Sequence, residues 1–265
     1  MNHGRIGLQS QGDVAILTLN DPSVLNAFGQ KLREDMGVAL DKIEQGSARC
    51  LVITGAGRAF CSGANLNDPD RRPRDRAAEA RGEAKTDLES WYNPTFMRLR
   101  ALPIPVVTAI NGIAAGAGMS LALSGDIRIA GRSAYFLQAF ARIGLVPDCG
   151  SSWILPRLIG MARAMELSLL AERLPAETAL QWGMINRVED DAVLLSKAMD
   201  VAQGLAAGPR SLGLIRQMYW AAMENTYESQ LALESKLQTE AALTQDFEEG
   251  VTAFREKRHA RFTGR

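Results

Sequence analysis

Histidine is almost missing from this chain: of 265 residues only His3 and His259 are histidine, one near each end. That scarcity argues against a Ser-His-Asp triad and against a histidine-rich metal centre. Cysteine is sparse as well. Cys50, Cys61 and Cys149 form an odd set without CxxC spacing, which speaks against a disulfide scaffold or a zinc site, so no metal is expected. Net charge is absent, thirty basic residues being matched by thirty acidic ones. No global field then draws the chain to nucleic acid or to an anionic membrane. No apolar run reaches the roughly 18–20 residues of a membrane span, and the polar opening MNHGRIGLQSQGD carries no signal segment. A soluble protein of a reducing compartment, the cytoplasm, is the expectation.

Hydrophobic residues make up 46% of the chain, enough for a substantial core in one large domain or one domain with an appendage. The first half alternates element types. Val14–Leu19 is a short β-run closed by Asn20-Asp21-Pro22. Between Gly29 and Glu44, Leu32, Met36, Leu40 and Ile43 are spaced for one helix face. Cys50–Thr54 is a second β-run, ended by Gly55-Ala56-Gly57. Val106–Ile110, Gly116–Leu123 and Asp126–Ala130 then follow the order strand, helix, strand, so an α/β fold is predicted. From about Met161 the pattern turns helical, with segments at 163–170, 176–182, 191–206, 211–223, 226–243 and 247–258. The expected division is a core over 1–200 and a helical region over 201–265 that packs on it or on another subunit. Residues 68–89 stand apart. Over half are charged and almost none aliphatic, which predicts a solvated helix or loop, or a lid with Trp91, Tyr92 and Phe96 as its apolar underside.

Several turns invite a chemical reading. VITGAGRAF (Val52–Phe60) carries a strand into a Gly-rich turn, but Ala59 and Cys61 stand where a TGxxxGxG pattern needs glycine. No tyrosine is followed by lysine four residues on, so nicotinamide binding is disfavoured. FCSGANL (Phe60–Leu66) is either a plain β-turn served by Gly63 or a site that presents the Ala64 N–H. VVTAINGIAAGAGMSLALS (Val106–Ser124) runs from a buried strand through small residues into an apolar helix near Ala117. Two N–H donors from two strand ends would make an oxyanion hole. In GLVPDCG (Gly144–Gly150), Asp148 is an isolated carboxylate just before SSWILPRLIG. As a helix cap its pKa should be depressed; as a general base in an apolar pocket it should be raised. Cys149 beside it reads as a packing residue rather than a thiolate.

GRAFCSGANLND, PIPVVTAINGIAAGAGMSLALSGDIRIA and GLVPDCGSSWILPRLIG together resemble the crotonase (enoyl-CoA hydratase/isomerase) superfamily, along essentially the whole chain from Val14 to the FREKRHARFTG tail. SGANLND, WYNP, GLVPDCG and the ending FTGR are most similar to the family's bacterial 1,2-epoxyphenylacetyl-CoA isomerases of aerobic phenylacetate degradation. The resemblance implies a spiral of ββα units with a helical C-terminal trimerisation region, hence a homotrimer or a dimer of trimers. It implies an acyl-CoA thioester substrate, no cofactor beyond the CoA of that substrate, and an oxyanion hole from the main chain of Ala64 and Ala117. The two glutamates of the hydratases fall on Ser120 and Phe140, which disfavours hydration. Asp148 takes the acid/base position of the isomerases, with helix capping as a second duty. CoA contacts are implied for Leu25, Asn26, Ala27, Arg58, Phe60 and Ser62, most of them through main chain, and for Phe254 and Lys257 from a neighbouring subunit.

The expected activity is isomerisation of 2-(1,2-epoxy-1,2-dihydrophenyl)acetyl-CoA through a stabilised enolate, with Asp148 moving the proton. One alternative is a Δ3,Δ2-enoyl-CoA isomerase, or an enoyl-CoA hydratase, of fatty-acid metabolism. The other is a non-catalytic acyl-CoA-binding scaffold. RNA binding has no basic patch to rest on beyond Arg71–Arg76, where acids are interleaved.

Overall fold

A computed structural model describes residues 2–265 except Arg72 and Arg74, with Asn2 and His3 described through their backbone alone. Strands β1 (Asn2–His3), β2 (Ile6–Gln11) and β3 (Val14–Leu19) open the chain, followed by helix α1 (Gln30–Gln45). Next come β4 (Cys50–Gly55), β5 (Ala59–Cys61), the short α2 (Arg76–Ala80), a π-helical turn Leu88–Tyr92 and α3 (Asn93–Ala101). The middle of the chain holds β6 (Val106–Ile110), β7 (Ile113–Ala115), α4 (Ala117–Leu123), β8 (Ile127–Gly131) and β9 (Tyr135–Leu137). Then follow α5 (Ser151–Ile159), α6 (Met161–Leu170), β10 (Leu174–Pro175), α7 (Ala176–Gln181) and β11 (Arg187–Glu189). Four helices close the chain: α8 (Leu194–Ala206), α9 (Ser211–Ala222), α10 (Tyr227–Ala242) and α11 (Gln245–Glu256).

Two sheets result. The larger has the order β1-β2-β3-β4-β6-β8-β11, the smaller β10-β9-β7-β5. β1, β2 and β3 pair antiparallel, whereas β3 through β11 of the large sheet are parallel. Each of the pairs β4–β5, β6–β7 and β8–β9 gives one strand to each sheet before the chain turns into helix. This is the expected spiral of ββα units.

Alternation along the central strands sorts side chains between two cores. Leu51 and Ile53 of β4, with Val106 and Ile110 of β6, face the main core between the sheets and α1. Cys50, Val52, Val107 and Ala109 face the other way, onto Leu194, Ala198 and Ala202 of α8. Residue 200, the expected limit of the core, lies inside α8, whose Ala202 and Ala206 also pack on the sheet.

Helix boundaries expected from the pattern agree with the structure to within a few residues, but several strands do not follow from it. β2 lies in the polar opening, where only Ile6 and Leu8 are apolar along its buried end. β11 lies between the expected helices 176–182 and 191–206, in a stretch with almost no strand signal, and its three residues complete the edge of the large sheet beside β8. Both are too short or too polar for a period-2 signal; sheet pairing supplies what the local pattern lacks.

The charged segment 68–89, of which Arg72 and Arg74 lie outside the described residues, is tied to α1 at both ends. Asp68 accepts from the Gln30 N–H at the start of α1. Asp87 pairs with Arg33 at 3.3 Å and Arg71 at 3.7 Å. The Trp91 indole donates to the Arg33 carbonyl at 3.0 Å, and Phe28, Trp91 and Tyr92 form an aromatic cluster beneath.

One buried ion pair pins the helical tail to the core. Arg216 of α9 donates to Asp126 at 2.7 Å, to the Leu102 carbonyl at 2.8 Å and to the Leu99 carbonyl at 2.9 Å. Asp126 also accepts from the Val106 N–H at 2.8 Å and the Trp220 indole at 3.0 Å. Replacing Arg216 by Met leaves these acceptors unpaired. It should cost about 3 kcal/mol, the low end for a broken buried pair because Asp126 keeps some water contact. Urea unfolding of Arg216→Met measures this, and an unchanged midpoint would show that the network does not hold the tail.

Candidate active site

β5 and β7 are parallel neighbours, with Cys61 opposite Ala114. Their C-terminal ends therefore emerge side by side, and the chain leaves each through a turn of small residues. The two turns touch. A Cβ on Gly118 would collide with the Cys61 carbonyl oxygen. At Gly63, whose φ is +96°, a Cβ would stand 2.8 Å from the Ala115 carbonyl oxygen and 3.6 Å from the Ala117 nitrogen. Glycine at these two positions is what allows the approach.

That approach leaves two N–H groups without acceptors. Phe28 bridges the first turn in parallel fashion, its N–H donating to the Gly63 carbonyl at 2.7 Å while the Asn65 N–H donates to the Phe28 carbonyl at 3.2 Å. The intervening Ala64 N–H faces the other side of the strand and meets no acceptor among the described residues. Ala117 is the first residue of α4, so its N–H has no partner within the helix. The neighbouring Gly116 N–H is taken by the Leu137 carbonyl at 2.9 Å; that of Ala117 meets no acceptor among the described residues.

Asp148 sits in the loop before α5, with Cys149 and Gly150 both at positive φ. Its main chain is clamped while its side chain is not. The Asp148 carbonyl accepts from the Ser120 hydroxyl at 3.2 Å, from the Ser151 hydroxyl at 3.0 Å and from the Ser151 N–H at 3.0 Å. Its carboxylate does not cap α5, whose N-cap is Gly150 with no side-chain bond. The capping duty expected beside acid–base work is therefore corrected: the loop carbonyl satisfies the Ser151 N–H, and the carboxylate is left over. Its Oδ1 is buried with no hydrogen-bond partner. Burial raises the Asp148 pKa above the ordinary carboxylate value, a hydrogen bond from the Cys149 thiol opposing it only in part. Burial and the adjacent carboxylate push the Cys149 thiol well up, so it stays protonated and packs, as expected.

Ser120 and Phe140 occupy the two positions where a pair of glutamates was read as absent. Ser120, 3% exposed, lies one turn along α4 from Ala117 and ties that helix to the Asp148 loop. Phe140 is buried, and its Cζ comes within 3.8 Å of the point a Cβ on Gly116 would take. Sequence reading treated Ser120 as an absence and missed its hydrogen bond; a hydroxyl on an otherwise apolar helix face was the available signal. Gln138 was missed altogether. It is fully buried just after Leu137, and neither end of its amide has a partner among the described residues.

Leu25 and Asn26 adopt left-handed backbone conformations. Asn26, fully buried, accepts from the Asp21 N–H at 2.9 Å and donates to the carbonyls of Ala56 at 2.9 Å and Ala59 at 2.8 Å. Its side chain is consumed in holding this loop to the β4–β5 turn. The Ser62 N–H donates to the Leu25 carbonyl at 3.0 Å, so Leu25, Asn26, Ala27 and Ser62 belong to one assembly next to Ala64. The Phe60 side chain lies in the core, leaving only its main chain for a ligand. Arg58 is exposed in the β4–β5 turn. Phe254 and Lys257 are exposed on and just after α11.

Two spirally wound sheets, two free N–H groups at adjacent strand ends and one desolvated carboxylate define a fold and site suited to stabilising a developing oxyanion beside a proton-transferring acid. The family model for enoyl-CoA hydratase/isomerase matches residues 9–265, and the chain belongs to that family. Its relatives include the 1,2-epoxyphenylacetyl-CoA isomerase of Escherichia coli K12, 47% identical over 254 residues and 95% of each chain. A trans-2-decenoyl-[acyl-carrier-protein] isomerase of Streptococcus mutans is 34% identical, again over 95% of each. The crystal structure of an enoyl-CoA hydratase from Polaromonas sp. JS666 superposes with a TM-score of 0.86 at 34% identity, covering 98% of this chain and 100% of the other.

Asp148→Asn separates stability from the site's chemistry. A carboxyl whose folded pKa is raised binds protons more tightly folded than unfolded, so stability falls as pH rises from the unfolded to the folded pKa. The asparagine variant should therefore melt above the parent at pH 8, with the difference vanishing below the ordinary carboxylate range. Thermal melts across pH read this directly, and a variant less stable at pH 8 would contradict the desolvated carboxylate.

Proposed function

We propose that the protein isomerises an acyl-CoA thioester, its acyl group being the ring epoxide 2-(1,2-epoxy-1,2-dihydrophenyl)acetyl. The thioester oxygen lies between the Ala64 and Ala117 N–H groups, which stabilise the enolate as the α-carbon loses a proton. The Asp148 carboxylate takes that proton. The carbanion's electron pair forms a double bond to the ring as the bond between the two epoxide carbons breaks. The pair so released, delocalised over the ring diene, takes the proton back at a ring carbon, so substrate and product are isomers and no cofactor is called for. The observation that carries the reading is the Asp148 carboxylate, whose buried Oδ1 has no hydrogen-bond partner among the described residues. Hydration of a double bond in this family draws on two glutamates, and Ser120 and Phe140 supply neither.

The ring-epoxide substrate is supported by the E. coli relative, a 1,2-epoxyphenylacetyl-CoA isomerase at 47% identity, and a place in phenylacetate degradation is proposed along with it. An aliphatic Δ3,Δ2-enoyl-CoA isomerase uses the same atoms, and the streptococcal isomerase gives that reading its support. Leu25, Asn26, Ala27, Arg58, Phe60 and Ser62 line the CoA, with Arg58 free to meet a phosphate. A homotrimer, singly or paired, completes the site. Met161, Met165 and Leu169 expose one apolar face along α6, a surface suited to a neighbouring subunit. Phe254, 85% exposed, and Lys257 reach a neighbour's CoA. No helix among the described residues is long and apolar enough to cross a membrane, and the three buried free thiols suit a reducing cytoplasm.

Asp148→Asn should bind acyl-CoA as the parent does yet turn over roughly 10²–10⁴-fold more slowly, the scale of acid–base catalysis. The raised pKa places the acid limb of the parent's kcat/KM above the ordinary carboxylate range, activity falling as pH drops through it. Product analysis with the ring epoxide and 3-hexenoyl-CoA separates the two isomerase readings. Full turnover in the variant would exclude Asp148 as the acid/base.

A further inference from the structure

A cavity of about 370 Å³ runs from the Asp148 loop out to the protein surface between α3, α5 and α9. Its inner end is formed by Ser120 and Cys149, both buried, the one bonded to the Asp148 carbonyl and the other adjacent in chain to Asp148. Phe96 and Ile154 give it apolar sides. The volume is at the small end of the roughly 300–1,000 Å³ of small-molecule pockets. On the acyl-CoA reading above, the acyl group is assigned to this space, which adjoins Asp148 through its chain neighbour Cys149.

At the outer end a group of side chains stands between the cavity and solvent. The Trp153 and Trp220 rings stack with centroids 6.2 Å apart and planes inclined by 17°. The Arg100 guanidinium lies 4.8 Å from the first ring centroid and 5.2 Å from the second. Arg100 is itself held by the Trp220 carbonyl at 3.2 Å and by Glu224 at 2.6 Å. Arg100 and Glu224 keep 38% and 55% of their side-chain surface in water, so this closure is the boundary between cavity and solvent. Trp220 is fixed from behind by its bond to Asp126.

We propose that Arg100, set against the edge of the Trp153–Trp220 pair and anchored by Glu224, is the specificity-determining residue that sets the length of the acyl group. A compact acyl group fits between the Asp148 loop and this closure. A long chain has to displace a guanidinium from two indoles and from its carboxylate, losing cation–π contacts and a charged hydrogen bond together. The inference rests on the acyl-CoA reading above but not on isomerase activity.

Binding of thioesters with neither a ring epoxide nor an isomerisable double bond tests it without relying on turnover. Affinities of acetyl-, phenylacetyl- and decanoyl-CoA are measured by calorimetry for the parent, Arg100→Ala and Glu224→Gln. Arg100→Ala should gain about tenfold or more for decanoyl-CoA relative to acetyl-CoA, the scale at which apolar pockets discriminate by size. Glu224→Gln, which leaves the Trp220 carbonyl contact, should move in the same direction by less. Acetyl-CoA, too short to reach the closure, should bind all three proteins alike, and it reports any general loss of folding. A decanoyl-to-acetyl ratio unchanged in Arg100→Ala overturns the proposal, as does a parallel change for all three ligands. Failure of every thioester to bind the parent would instead overturn the acyl-CoA reading itself.

Discussion

Everything at this site depends on how closely two parallel strand ends approach. β5 and β7 stop at the same edge of the small sheet, and Gly118 and Gly63 let the turns beyond them come into backbone contact. A single methyl group at Gly118 would meet the Cys61 carbonyl. The spacing in turn decides which main-chain groups are satisfied. Gly63, Asn65 and Gly116 find partners, whereas the N–H groups of Ala64 and Ala117 are left to a ligand. An N–H group without an acceptor at a helix start, as at Ala117, is open to an oxygen from a ligand.

The carboxylate is fitted to the same frame through Ser120. One turn of α4 separates the Ala117 N–H from the hydroxyl that holds the Asp148 carbonyl, so donor and acid are set by one rigid element. Three hydrogen bonds on that carbonyl fix the loop while leaving the carboxylate under-solvated. Burial raises its pKa toward the range where an acid–base group both takes and gives a proton. The same burial keeps Cys149 a thiol. The arrangement costs stability at neutral pH.

Much of this was legible in the amino-acid sequence, and the rest was not for identifiable reasons. The long amphipathic helix α1 and the buried runs β3, β4 and β6 announce themselves through periodicity. The small sheet does not: β5, β7 and β9 have three residues each, too few for any period, and exist because parallel neighbours pair them. β11 is invisible for the same reason. At the site, Ala64, Ala117 and Asp148 could be singled out from small-residue turns and an isolated acid. Asn26 could not be recognised as a structural clasp, because its three hydrogen bonds run to residues that the chain brings near only on folding. Whether Asp148 caps a helix or stands free is likewise settled by Gly150 taking the cap position. The Arg100–Trp153–Trp220 stack joins three helices and has no local signature at all.

The central claim, that a thioester oxygen is held between the Ala64 and Ala117 N–H groups, is tested most directly by infrared difference spectroscopy. Phenylacetyl-CoA carrying a ¹³C-labelled thioester carbonyl gives a band that two strong hydrogen bonds move to lower wavenumber on binding. The predicted result is such a shift in the parent, kept in Asp148→Asn because the donors are main chain on a separate element. A bound thioester whose carbonyl band stays at its solution position would contradict it.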